Sequence, residues 1–214
     1  MRIFVVGANG RLGRLVVARA LANGHEVTAF MRDGRVLPAN PALSIEFGHV
    51  ADEPDRVRAA VAGHDAVLSG LGNPLWFKGG RGPAIVAAGV TNVVAAMRDA
   101  GVGRVVVPLA WGTGASRQHA SPLVRAVAAT LIRRDFSDFG AAEDVLVHSG
   151  LDWTLAYFGR LTDAPAGSGW TVSSDLRAPT NLAISRADLA GFLGASVTEG
   201  AFIRQRVVLG GLTT

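Results

Sequence analysis

Cysteine is absent from the 214-residue chain, which excludes disulfides, thiolate nucleophiles and cysteine-ligated metals together. Five histidines are present, but His25, His49, His64, His119 and His148 never fall at metal-ligand spacing, so no metal is expected. Tyrosine is nearly missing, Tyr157 being the only one. Charge is sparse: 18% of residues are charged against 49% hydrophobic. That balance excludes disorder and favours a sheet covered on both faces. No apolar run is long enough to span a bilayer, and no charged n-region leads an apolar segment to a small-residue cleavage site, so a soluble cytoplasmic protein is expected. Lys+Arg exceeds Asp+Glu by 21 to 17, with arginine dominant and no interleaved aromatics. This argues against nucleic acid as a partner and for a few arginines facing one small anionic ligand.

What is present is alternation. Short β-branched runs at Arg2 to Val6, Glu26 to Met31, Leu43 to Phe47, Ala66 to Ser69, Arg104 to Val107 and Asp152 to Tyr157 read as strands. Between them, helical periodicity covers Leu12 to Asn23, Pro54 to Ala62, Pro83 to Ala100 and Asp138 to Ser149. Such alternation implies one α/β domain over 1–214, a doubly wound parallel sheet with ligands beyond the strands' carboxyl ends. From 158 to 205 the rhythm breaks into Gly/Ser/Pro-rich pieces, read as a small C-terminal lobe over the strand ends. Within it Ser185 caps a helix, with Asp188 three residues on. The run "RQRVVLGG" reads as a closing strand. The stretch from Trp111 to Ile132 reads as a loop over the site followed by a helical pattern.

The sharpest local signal is Gly7, Gly10 and Gly13 between the first strand and the first helix. Gly7 permits a tight turn, Gly10 removes a side chain that would block a pyrophosphate, and Gly13 lets the helix lie close to the sheet. Free amides at the helix start then meet phosphate charge. The alternative is a glycine turn that serves packing alone. At the end of the second strand, where an acidic residue would grip the ribose of NAD, the chain has Arg32 with Arg35 nearby, a pair suited to a 2′-phosphate and hence to NADPH. Arg11 adds to that charge.

Taken together, "GANGRLG", "MRD", "AVAGHDAVLSGLG", "TNVVAAMRDAGVGRVVV", "AAEDVLVHSGLDWTL" and "ISRADLAGFL" resemble a known family over nearly the whole chain. It is the atypical short-chain dehydrogenase/reductases that bind NAD(P)H on a Rossmann sheet, especially the biliverdin reductase B (flavin reductase) and NmrA-like group. The resemblance implies that Gly7, Asn9, Gly10, Arg11 and Leu12 contact the pyrophosphate, Arg32 the 2′-phosphate, and His49 and Val50 the adenine. Leu71 and Gly72 would border the ribose and phosphates. His49 is a departure, since the family usually carries "GD" where this chain has "GH". The family's fifth strand ends in Ser or Thr; here Leu109 and Ala110 stand there, and the Tyr-x-x-x-Lys pair is missing.

The expected function is an NADPH-dependent oxidoreductase that transfers hydride to a planar conjugated acceptor, a flavin, quinone, tetrapyrrole-like compound or biosynthetic intermediate. Such acceptors take hydride readily and draw their proton from solvent. Trp76, Phe77, Trp111 and Phe158 are the candidate substrate wall. Tyr157 and His119 are the candidate proton donors, each against a plain structural or solvated role. Two other classes stay open: an NmrA-like dinucleotide sensor, and a non-redox cyclase, isomerase or dehydratase on the same fold. The expected partner is a small molecule, and the expected assembly a monomer or homodimer.

Overall fold

The computed structural model describes residues 1–211 apart from 33, 35, 36, 74–83, 123, 124, 126–132, 168 and 180. Among the described residues the strands are, in chain order, β1 Arg2–Val6, β2 Glu26–Met31, β3 Leu43–Phe47, β4 Ala66–Ser69, β5 Arg104–Ala110, β6 Asp152–Phe158, β7 Leu161–Thr162, β8 Trp170–Ser173, β9 Ile184–Ser185 and β10 Gln205–Gly211. The helices are α1 Arg11–Ala22, α2 Pro54–Val61, α3 Val86–Ala100, α4 Arg133–Val147 and α5 Arg186–Thr198. A short 3-10 helix covers Gly114–His119.

Eight strands make one sheet in the order β3-β2-β1-β4-β5-β6-β10-β8, parallel except for β8 against β10. The order reverses between β1 and β4, which is where a doubly wound sheet opens a crevice at its carboxyl edge. Register sets that edge level, with Val6 opposite both Phe30 and Ser69. Each face carries its own core. α1 and α5 pack on one face, where Val16, Val17, Leu189 and Leu193 meet Ile3, Val5, Leu68 and Val106. α2, α3 and α4 pack on the other, where Val57, Val90, Met97 and Leu146 meet Phe4, Val67, Val105 and Trp153.

β5 continues past the expected Val107, through Pro108 to Ala110. Proline, which donates no ladder hydrogen bond, is tolerated there because β4 pairs only as far as Val106 and leaves that side of Pro108 unpaired. α4 already includes Arg133, ahead of the expected Asp138, and α3 is described from Val86; Pro83, the expected start of α3, lies outside the described residues. The segment expected as a C-terminal lobe contributes β8 to the sheet edge and α5 to one face, and its β7 pairs with β9 in a separate two-stranded ribbon. Among the described residues no helix is long and apolar enough to cross a membrane.

Candidate functional site

A cleft of about 760 Å³ opens at the carboxyl edge, lined by residues from the ends of β1, β2, β4, β5 and β6. The turn from β1 into α1 forms its floor. Gly7 is left-handed (φ +73°), and its amide donates to the Phe30 carbonyl at 3.1 Å. A Cβ on Gly13 would come within 2.2 Å of the Gly7 carbonyl oxygen, and one on Gly70 within 2.7 Å of the Gly13 Cα. Three backbones therefore touch where only glycine fits. Gly13 works from behind that contact and does not line the cleft, whereas Gly7, Asn9, Gly10, Arg11 and Leu12 do.

Gly10 caps α1 in an extended conformation with no side-chain hydrogen bond, and the first turn holds no acidic residue. The leading residues of α1 thus line the cleft with no acidic side chain in their own turn. The partial positive charge of their amides is a site for phosphate.

Toward β2, the lining comprises Phe30, Met31, Arg32, Gly48 and Val50. Arg32 is exposed at the strand end. The structure brings Val50 to the cleft but not His49. That imidazole is half exposed, with Nδ1 3.2 Å from Asp52, while its backbone amide donates to Glu53 at 2.5 Å. Arg35, Trp76 and Phe77 lie outside the described residues. Leu71 and Gly72 line the cleft.

Strand alternation decides the far wall. Ala110 pairs with Phe158, and both line the cleft; Leu109 pairs with Tyr157, and both are fully buried in the core shared with α4. Tyr157, expected as a proton donor at the cleft, instead donates its hydroxyl to Glu143 at 2.5 Å. Burial first, then the hydrogen bond to Glu143 and the charge of that carboxylate, push its phenol above the ordinary value, so it holds its proton. His119 does not reach the cleft lining either: it ends the 3-10 helix, exposed to solvent. Trp111 is half-buried outside the cleft lining and anchors elsewhere, its indole N–H donating to the Leu176 carbonyl at 2.9 Å.

Several residues beyond the expected site organise it, among them Glu143, for which the sequence left catalysis and helix-to-loop hydrogen bonding equally open. Glu143 is 2% exposed and receives the Tyr157 hydroxyl, the Arg206 Nε at 2.6 Å and the Ala115 amide. It ties the turn after β5 to β6 and β10. Gly114 in that turn leaves room for it, since a Cβ there would fall 1.5 Å from a Glu143 oxygen. Asp138 on α4 accepts from the Val86 and Ala87 amides at the start of α3 and from the Asn73 side chain, which itself accepts from the Ile85 amide. Arg160 and Arg186 also line the cleft. Asp163 bridges Arg186, at 2.6 Å, and Arg11 of the glycine loop. Gly70 had a local signal in the "SGLG" after a strand and Glu143 in the "AAE" before "HSGLDW"; their contacts, like those of Asp138 and Asp163, join segments far apart in the chain.

Residues 7–200 match a family described as NAD(P)H-binding. An uncharacterised protein of Mycobacterium tuberculosis is 39% identical over 108 residues, half of this chain, and the chain spans 12% of its length. A 2-alkyl-3-oxoalkanoate reductase of Stenotrophomonas maltophilia is 35% identical over 107 residues, 50% of this chain and 32% of its own. Among solved structures, a short-chain dehydrogenase/reductase of Veillonella parvula in complex with NADP superposes with a TM-score of 0.81 at 17% identity, over 100% of this chain and 95% of that one. ChuY, an anaerobillin reductase of Escherichia coli, superposes at 0.79 with 20% identity over the full length of both chains.

Proposed function

The chain belongs to the NAD(P)H-binding family, and from that premise we propose that it is an NADPH-dependent reductase acting on a planar, conjugated acceptor such as a flavin, quinone or tetrapyrrole. The observation that carries this reading is the register pair Ala110–Phe158 on the cleft wall. With Phe139 and Ile85 also in the lining, it supplies an apolar surface at the strand ends, beyond the glycine loop. A flat, extended molecule buries most area against such a wall.

The residues present fit a dinucleotide, because Gly10 puts bare backbone on the cleft, where a Cβ would come within 3.3 Å of the Gly7 carbonyl oxygen, and the first turn of α1 holds no acidic residue. The leading amides of α1, with Arg11, would hold the diphosphate, and Arg32 the 2′-phosphate. Phe30 and Val50 would flank the adenine. When bound, NADPH supplies the hydride. The chain's part is to orient the acceptor and exclude water from the apolar wall. Among the described lining residues there is no Ser, Thr, Tyr, Asp or Glu. The acceptor's proton then comes from water, which suits acceptors whose reduced anion is stable.

The test is to mix protein and NADPH with FMN, a quinone or biliverdin and follow the reduced-nicotinamide absorbance. Oxidation by at least one conjugated acceptor is expected, with no limb in the rate profile from a group titrating near neutrality. Tight NADPH binding with no oxidation by any of them would overturn the reductase reading in favour of a sensing or non-redox role.

A further inference from the structure

Four arginines line the cleft, Arg11, Arg32, Arg160 and Arg186, and no acidic residue does so among those described. The proposed dinucleotide accounts for two of them, Arg11 at the diphosphate and Arg32 at the 2′-phosphate. Two positive charges remain beyond the end of β6.

Their placement follows from the small ribbon. β7 and β9 pair in parallel, Leu161 with Ile184 and Thr162 with Ser185. The Ile184 amide donates to the Arg160 carbonyl at 3.0 Å, so Arg160 enters this ladder and Arg186 leaves it. The Arg186 side chain is only 16% exposed, although it lines the cleft. Asp163 holds it at 2.6 Å and reaches across to Arg11 with its other oxygen. Arg160 is exposed, and no ion pair joins it to any described residue. Asp163, itself 61% exposed, thus gives its carboxylate to Arg186 and Arg11 at the cleft mouth, and its contact with the exposed Arg11 is one that an incoming anion can replace cheaply.

We propose that Arg160 and Arg186 form an anion subsite for an acidic arm of the acceptor, a carboxylate or phosphate, and that Asp163 is the internal carboxylate which occupies Arg186 until the arm displaces it. The subsite deepens the reductase reading, since it selects among conjugated acceptors those that carry charge. Guanidinium groups suit the task because their planar fork matches both carboxylate and phosphate oxygens.

The experiment compares acceptors that share a chromophore and differ in charge: FMN against lumiflavin, and biliverdin against its dimethyl ester. The unsubstituted protein should prefer the charged member of each pair in kcat/KM. The double variant Arg160→Gln, Arg186→Gln should lower that preference about tenfold, the loss of one good charge-assisted contact. Asp163→Asn should raise it about threefold by removing the internal competitor, a direction that a merely structural role would not produce.

Equal losses for charged and neutral members, or Asp163→Asn moving with the arginine variant, would overturn the subsite. A fall in NADPH affinity as large as the fall in preference would overturn it too, by assigning these arginines to the cofactor. If the protein binds NADPH yet oxidises no acceptor, the reductase reading fails while the subsite is still tested. Titration of the same pairs into NADP-saturated protein then decides it, and the absence of a preference for the charged member overturns it.

Discussion

Tyrosinate absorbance in this protein reports a single side chain, because Tyr157 is the only tyrosine. Its hydroxyl is buried and donates to Glu143, and its ionisation is pushed upward. A group whose folded pKa is raised adds stability that is complete below the unfolded value and lost as pH rises past it. For a phenol this means full stability up to about pH 10 and a decline above it. Alkaline titration should therefore show the tyrosinate band rising only together with loss of near-UV circular dichroism; a smooth rise in folded protein would contradict the buried hydrogen bond. Tyr157→Phe should cost about 1 kcal/mol in urea denaturation and leave hydride transfer intact, since the side chain packs with α4 and not in the cleft. Arg32 is argued at the same scale. Arg32→Ala should weaken NADPH by tenfold or more, about 1.4 kcal/mol, while changing NADH little; equal losses for the two would remove the 2′-phosphate assignment.

The β1–α1 unit shows how a sequence signal becomes geometry. Gly7, Gly10 and Gly13 were legible as a dinucleotide turn, but their third partner, Gly70, comes from the end of β4 and closes the contact from the far side. Gly13→Ala forces a methyl against the Gly7 carbonyl oxygen, where backbone on both sides cannot give way. A destabilisation on the order of 3 kcal/mol is expected. Gly103→Ala, where an added Cβ meets nothing within 4 Å, should stay within about 0.5 kcal/mol. Thermal melts of the two variants separate close packing from a general effect of losing glycine, and equal shifts would contradict the account. At this scale the strands β2, β3 and β4 were read to the residue, because β-branched runs bounded by Gly, Pro and Asn leave little choice. The extension of β5 through Pro108 was not, because that proline is tolerated only through a pairing partner that ends early.

For the molecule as a whole, a doubly wound parallel sheet with its cleft at the carboxyl edge follows from the alternation of strand and helix, and this much was legible without coordinates; the strand order was not. The division of labour at the far wall was not. Ala110 and Phe158 face the cleft while Leu109 and Tyr157 face the core, a choice fixed by pleat and register across two strands 48 residues apart at their paired starts, Arg104 and Asp152. Arg160 and Arg186 reach the same cleft, and Asp163 reaches Arg186, only because a two-residue ribbon aligns their segments. The glycine cradle, by contrast, is local and rests on everything around it. Its direct test is calorimetric titration of the full chain with NADPH and with NADH. One site per chain is expected, tighter for NADPH, with a melting temperature that climbs with ligand as binding to the folded state requires, about 2.7 kcal/mol at a hundredfold excess over Kd. No heat and no thermal shift with either nucleotide would contradict the assignment of the β1–α1 amides as a diphosphate site.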